Sequence, residues 1–172
     1  MTVGDPLFHI VLHQPEIPNN TGNIGRTCVA VGAALHLIRP LGFSTSERAC
    51  RRAGLDYWPR LNVREHDSWS AYLDATPDRP PARRWLFTTK ARRTVFQAPI
   101  RRGDHLVFGR ETSGLPDDIL SLWPDQLVSL PMAPGERSLN IATAVCAAVY
   151  EGIRQCLDSG QVRLGPDGRL LP

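Results

Sequence analysis

Lysine is nearly absent from this chain: of 20 basic residues, Lys90 is the only lysine. Arginine replaces it, and its planar fork suits phosphate better than a compact ammonium does. Long apolar runs are missing as well. None approaches the roughly 20 residues of a membrane-spanning helix. The start, Met1-Thr-Val-Gly-Asp-Pro, has no basic segment and no small-residue cleavage site, so no secretory signal is expected. Cysteine is sparse. Cys28, Cys50, Cys146 and Cys156 form no C-x-x-C pair and have no histidine cluster beside them, which fits reduced thiols in a cytoplasmic protein and no zinc or other metal. The chain also lacks the Gly-Lys-Ser/Thr of a phosphate-binding loop and the G-x-G-x-x-G spacing of a dinucleotide site.

What is present is a globular chain of 172 residues, 42% hydrophobic, with a net charge of +3. That length suits one domain. We expect it to span residues 1–157, followed by a polar, loosely held tail, 158–172. The charge is uneven. Residues 48–110 hold 14 Arg or Lys against six Asp or Glu, whereas both flanking segments are acidic on balance. A GC-rich codon bias accounts for arginine over lysine but not for the clustering. A basic middle suits a polyanion such as a nucleic acid.

Apolar runs and breakers alternate along the chain. Strands are expected at 7–12, 35–38, 61–63, 85–89, 106–108 and 127–130. Helices are expected after Asn20 or Thr21, either of which can act as the cap, and at 46–53, 67–75 and 116–123. The longest helix is expected over 138–157, where Ala142, Val145, Val149, Ile153 and Leu157 recur with helical period. This alternation predicts an α/β fold with a mainly parallel sheet. Ligands of such sheets sit beyond the carboxyl ends of the strands. Three polar motifs fall there: 14–26, 109–116 and 131–140. Arg26 lies early in its helix, where the macrodipole favours an acid, so a functional role is the better reading of that cation. Gly109-Arg-Glu-Thr-Ser-Gly-Leu-Pro116 reads in isolation as a tight turn, and Ser138 and Asn140 as a helix start.

Together these segments carry more. The set is Pro15-Glu-Ile-Pro, Asn20-Thr-Gly-Asn-Ile with Arg26, Arg52-Ala-Gly-Leu-Asp-Tyr57, Thr88-Thr-Lys90, Phe108-Gly-x-Glu-Thr-x-Gly-Leu-Pro116 and Arg137-Ser-Leu-Asn140. It resembles the SPOUT RNA methyltransferases, and within them the compact branch that methylates the 2′-hydroxyl of the wobble nucleotide, C34 or U34, of certain leucine tRNAs. The resemblance covers about residues 7–157. It implies an α/β-knot domain with a deep C-terminal trefoil knot, S-adenosyl-L-methionine as methyl donor, the tRNA anticodon stem-loop as substrate, and a homodimer.

By resemblance, Arg26, Glu111, Ser138 and Asn140 are the catalytic candidates. Phe87, Gly109, Leu130 and Ser138 are the cofactor contacts. Arg26, Arg51, Arg52 and Tyr150 are the RNA contacts. The chain departs from the family pattern at Gly25, where an apolar residue is common, and at Arg110 and Ser113, where Pro and Arg are common. Two other readings remain open at this stage. One is a related 2′-O-methyltransferase acting elsewhere on tRNA or on rRNA; the other is a non-catalytic RNA-binding module on the same fold.

Overall fold

The computed structural model describes residues 5–45, 56–77 and 83–171. Six strands pair there into one sheet: β1 (His9–His13), β2 (Ala34–Ile38), β3 (Val63–His66), β4 (Arg84–Phe87), β5 (His105–Phe108) and β6 (Leu127–Val128). Their order is β3-β2-β1-β5-β4-β6, and every pairing is parallel. Parallel neighbours need crossovers. The helices among the described residues are α1 (Pro18–Val31), α2 (Trp69–Ala75), α3 (Asp117–Leu122) and α4 (Ile141–Asp158).

Alternation along each strand divides the apolar side chains between two faces. Ile10, Leu12, Leu35, Leu37 and Leu106 pack with Ile24 and Cys28 of α1 and with Val145, Val149 and Ile153 of α4. Val11, Ile38, Leu86 and Val107 pack with Tyr72 of α2 and Ile119 of α3. The second face also carries a row of histidines across four strands. His9 Nδ1 lies 2.9 Å from His36 Nε2, and His36 Nδ1 lies 2.9 Å from His66 Nε2. His105 stacks on His9 at 4.3 Å and its Nδ1 is 2.7 Å from the Tyr72 hydroxyl. Burial holds all four below the ordinary histidine range: His9 falls to about 4, His36 to about 3 and His105 to about 2.

Several boundaries differ from expectation. α1 begins at Pro18 with Ile17 as its cap residue and no side-chain cap of its own. Asn20 and Thr21 therefore sit inside the helix, and Arg26 lies mid-helix rather than near its start. β3 starts at Val63 because Trp58–Arg60 forms a 3-10 turn that turns Leu61 into the core. β6 is only two residues long, so Ser129 and Leu130 run on past the sheet edge. α4 starts at Ile141, and residues 137–140 precede it without regular structure. Just past α4, Val162 is buried, and the Gln161 side chain accepts from the Arg102 N–H at 3.0 Å. The expected helix at 46–53, with Arg51 and Arg52, lies outside the described residues. At the Gly25 departure, an added Cβ would come 3.1 Å from Leu61 and 3.3 Å from Trp58, so those side chains occupy the space of the missing one.

Candidate active site

β1 has β2 on one side and β5 on the other. The chain leaves β1 toward β2, so a crevice opens where the two directions part. The carboxyl ends of β1, β5, β4 and β6 deliver four segments to this point. They are 14–20, 109–115, 88–90 and 130–141. Between them lies a cleft of about 550 Å³, within the usual size of small-molecule sites, roughly 300–1,000 Å³.

The turn after β5 is unusually tight. Arg110 and Gly114 exchange main-chain hydrogen bonds at 3.1 and 2.9 Å, and Gly114 takes the left-handed conformation with φ 72°. A Cβ on Gly109 would lie 2.0 Å from the Gly114 carbonyl carbon. Gly114 is therefore required by its backbone angle and Gly109 by close approach. This folding-back turns Glu111 toward the start of α1. Its carboxylate accepts from the Glu16 N–H at 2.9 Å, the Ile17 N–H at 3.2 Å and the Asn20 Nδ2 amide at 3.2 Å. Helix α1, which has no acid in its first turn and no cap, thus receives both from a residue more than 90 positions away.

Asn20 carries the connection onward. Its Oδ1 accepts from Asn140 Nδ2 at 3.0 Å. Asn140 in turn caps α4: its Oδ1 accepts from the Ala142 N–H at 2.9 Å and the Thr143 N–H at 3.3 Å. One hydrogen-bonded line, Glu111–Asn20–Asn140, thereby joins the turn after β5 to the starts of two helices. Phe87, Gly109, Leu130 and Ser138 all line the cleft beside it. Phe87 stacks on Phe108 with ring centres 4.4 Å apart. Among the described residues, the Ser138 and Arg137 side chains have no hydrogen-bond partner, and both line the cleft. An apolar wall beside main-chain, hydroxyl and amide groups suits a ligand that is part aromatic ring and part polar chain. Among the described residues, no group of three or more His, Cys, Asp or Glu is placed to hold a metal ion.

Six residues named from the sequence line the cleft: Phe87, Gly109, Glu111, Leu130, Ser138 and Asn140. Two are not brought there within one chain. Arg26 is exposed on α1, 3.9 Å from Asp56 and 4.8 Å over the Tyr57 ring. Tyr57 is itself fixed, since its hydroxyl donates to the Gly22 carbonyl. Tyr150 is 57% exposed on α4. Sequence reasoning passed over Asn20 as a site residue, although a polar side chain in helical register with Ile24 and Cys28 was a usable signal. It also passed over Lys90, which lines the cleft and pairs with Asp117 at 2.6 Å.

The fold and the cleft define a class: a parallel α/β protein whose cleft of strand-end backbone, aromatic and small polar groups suits a small, part-polar ligand. Comparison with known proteins narrows it. The SpoU rRNA methylase family matches residues 7–150, and the chain belongs to that family. It is 47% identical over 151 residues to the tRNA (cytidine(34)-2′-O)-methyltransferase of Burkholderia ambifaria, covering 87% of this chain and 96% of that protein. It is 45% identical over 150 residues to the corresponding enzyme of Saccharophagus degradans, again covering 87% and 96%. A solved structure that concerns 2′-OH methylation of C/U34 on tRNA superposes with a TM-score of 0.81 at 46% identity, over 90% of this chain and 99% of that one. The SpoU methyltransferase AviRb of Streptomyces viridochromogenes, in complex with AdoMet, superposes with a TM-score of 0.73 at 26% identity, over 90% and 62%.

Proposed function

We propose that this protein is a tRNA 2′-O-methyltransferase that uses S-adenosyl-L-methionine to methylate the ribose of nucleotide 34, with leucine tRNAs as its substrates. The observation that carries this reading is the Glu111–Asn20–Asn140 line closing one cleft from three motifs, in a chain so similar to enzymes of that activity. Leucine tRNA is the finer part of the proposal and rests on the motif resemblance.

The residues present fit the methyl donor. Phe87 and Leu130 would flank its adenine, and main-chain groups at Gly109 and Leu130 and the Ser138 hydroxyl would hold its polar edge. When bound, S-adenosylmethionine supplies an electrophilic methyl group on a sulfonium. In the reaction the ribose 2′-oxygen forms the new O–C bond, the S–C bond breaks, and the hydroxyl proton leaves. The transfer is in-line, so alignment supplies much of the rate. Glu111 acts by ordering the cleft: its carboxylate is already committed to three donors. Asn140 fixes the start of α4 and with it the stretch bearing Ser138. Arg26 is assigned to the RNA, gripping the phosphate beside nucleotide 34 and stabilising negative charge that develops on the 2′-oxygen. A guanidinium does not give up its proton in a protein, so the adjoining phosphate, placed by Arg26, is the acceptor we favour.

The working form in this reading is a cytoplasmic homodimer. Exposed Ile17 and Leu139 flank the starts of α1 and α4, and Tyr150 is exposed midway along α4; in this reading a second copy covers them and brings an Arg26 to each cleft. Methylation of total tRNA from a strain lacking the gene, followed by nucleoside mapping, tests the function. A methyl group on the ribose of nucleotide 34 of leucine tRNAs is expected. A methyl on a base, or on another nucleotide, would overturn the proposal.

A further inference from the structure

We propose that Glu16 is a positioning residue for methyl transfer, acting through Thr112; this deepens the functional reading above and rests on it. Glu16 does not line the cleft. Its carboxylate accepts from the Thr112 N–H at 3.1 Å and from the Thr112 hydroxyl at 2.9 Å. Its own N–H donates to Glu111 at 2.9 Å. The two acids are therefore exchanged: Glu111 reaches into the 16–20 segment, and Glu16 reaches back into the 110–114 turn. Each carboxylate faces donors of the other loop, so two like charges lie close without facing each other unpaired.

The Glu16 side of this clasp cannot recede. Gly42, in the loop after β2, donates its N–H to the Pro15 carbonyl at 3.0 Å. A Cβ at Gly42 would come within 2.5 Å of the Glu16 carbonyl oxygen. The backbone at 15–16 is thus pressed between two loops. On the other side, the tight Gly109–Gly114 turn transmits any shift of Thr112 directly to Glu111, and Glu111 holds Asn20 and through it Asn140. Gly109, Phe87 and Leu130 depend instead on the ends of strands. Loss of the clasp should therefore disturb the alignment of the reacting groups and leave the methyl donor's pocket standing. A misplacement of about 1 Å is enough to cost a reaction on the order of 100-fold.

The test uses the intact protein and four variants. For Glu16→Ala we expect kcat for tRNA methylation to drop about ten-fold or more, within that range of misalignment effects, with the affinity for S-adenosylhomocysteine close to wild type. Glu16→Gln should recover most of the rate, because its amide oxygen still accepts from Thr112. Adding Glu16→Ala to Thr112→Val should cost less than the sum of the two single losses, since valine keeps only the N–H donor to Glu16. Additive losses, or failure of glutamine to rescue, would overturn the role. Amide exchange supplies an independent reading. In Glu16→Ala, and in Thr112→Val if that chain alone folds, exchange should speed up in 110–114 and not in β1 or β5; unchanged exchange would dismiss the clasp. If the wild-type protein leaves nucleotide 34 unmethylated, the functional reading fails while exchange still decides the clasp.

Discussion

Asn140 performs two tasks with the two ends of one amide. Its oxygen caps α4 and its nitrogen donates to Asn20. Asn140→Asp separates them: a carboxylate still caps the helix but cannot donate, and it sets oxygen against the Asn20 oxygen. We expect the melting temperature to change little and methyl transfer to fall sharply. A matching collapse of thermal stability would mean that the cap alone matters. Arg26→Ala should keep S-adenosylhomocysteine binding and lose most turnover, and near-normal turnover would remove Arg26 from the chemistry. Glu111, Ser138 and Asn140 were singled out by the family resemblance; in isolation an acid in a Gly-rich turn and a Ser and Asn before a helix read only as a turn and a cap. Asn20 was harder to read. Three polar residues stand in a row at 19–21, and only the helix phase, set by where Pro18 starts the helix, turns Asn20 inward.

Among the elements, the parallel strands were the most legible, since runs buried on both faces read as unbroken apolar segments. Their ends were the least, because Leu61 and Leu130 are apolar for reasons of packing outside the ladder. The histidine row was invisible in sequence: His9, His36, His66 and His105 are brought together only by strand order and register. It has a measurable consequence. In the unfolded chain each histidine takes up a proton near pH 6.5, as ordinary histidines do. In the folded chain burial delays that uptake to about 4 for His9, about 3 for His36 and about 2 for His105. Unfolding therefore binds protons below pH 6.5, so stability falls as pH falls through that window and is flat with respect to these groups above it. Each such histidine contributes up to about 1.4 kcal/mol per pH unit. Urea midpoints should decline steeply from pH 6.5 to 4.5, and equal midpoints across that span would contradict the buried, neutral row.

At the scale of the whole molecule, charge and symmetry decide what a single chain does not show. The basic excess between residues 48 and 110 is placed, in our reading, to meet the phosphates of the anticodon stem. Reversing the charge of Arg51 and Arg52 should weaken tRNA binding and flatten its salt dependence, by about 0.7–0.9 in log–log slope per lost phosphate contact, while cofactor affinity stays put. Equal loss of both would indicate misfolding instead. If each cleft borrows Arg26 from a second copy, mixing Arg26→Ala chains with Asn140→Ala chains should restore part of the activity that neither has alone. No restoration would confine Arg26 to its own chain.

The bond between Asn20 and Asn140 joins positions 120 residues apart. Contacts of such span form late, since most of the chain must be ordered first. On the ribosome, a nascent chain that has released β1 through β5 already owns most of its sheet, yet its cleft still lacks the 109–115 and 130–141 segments. Competence for catalysis then arrives only with α4, whose start carries Asn140. Chains that stop short of Asn140 would be inert in methyl transfer.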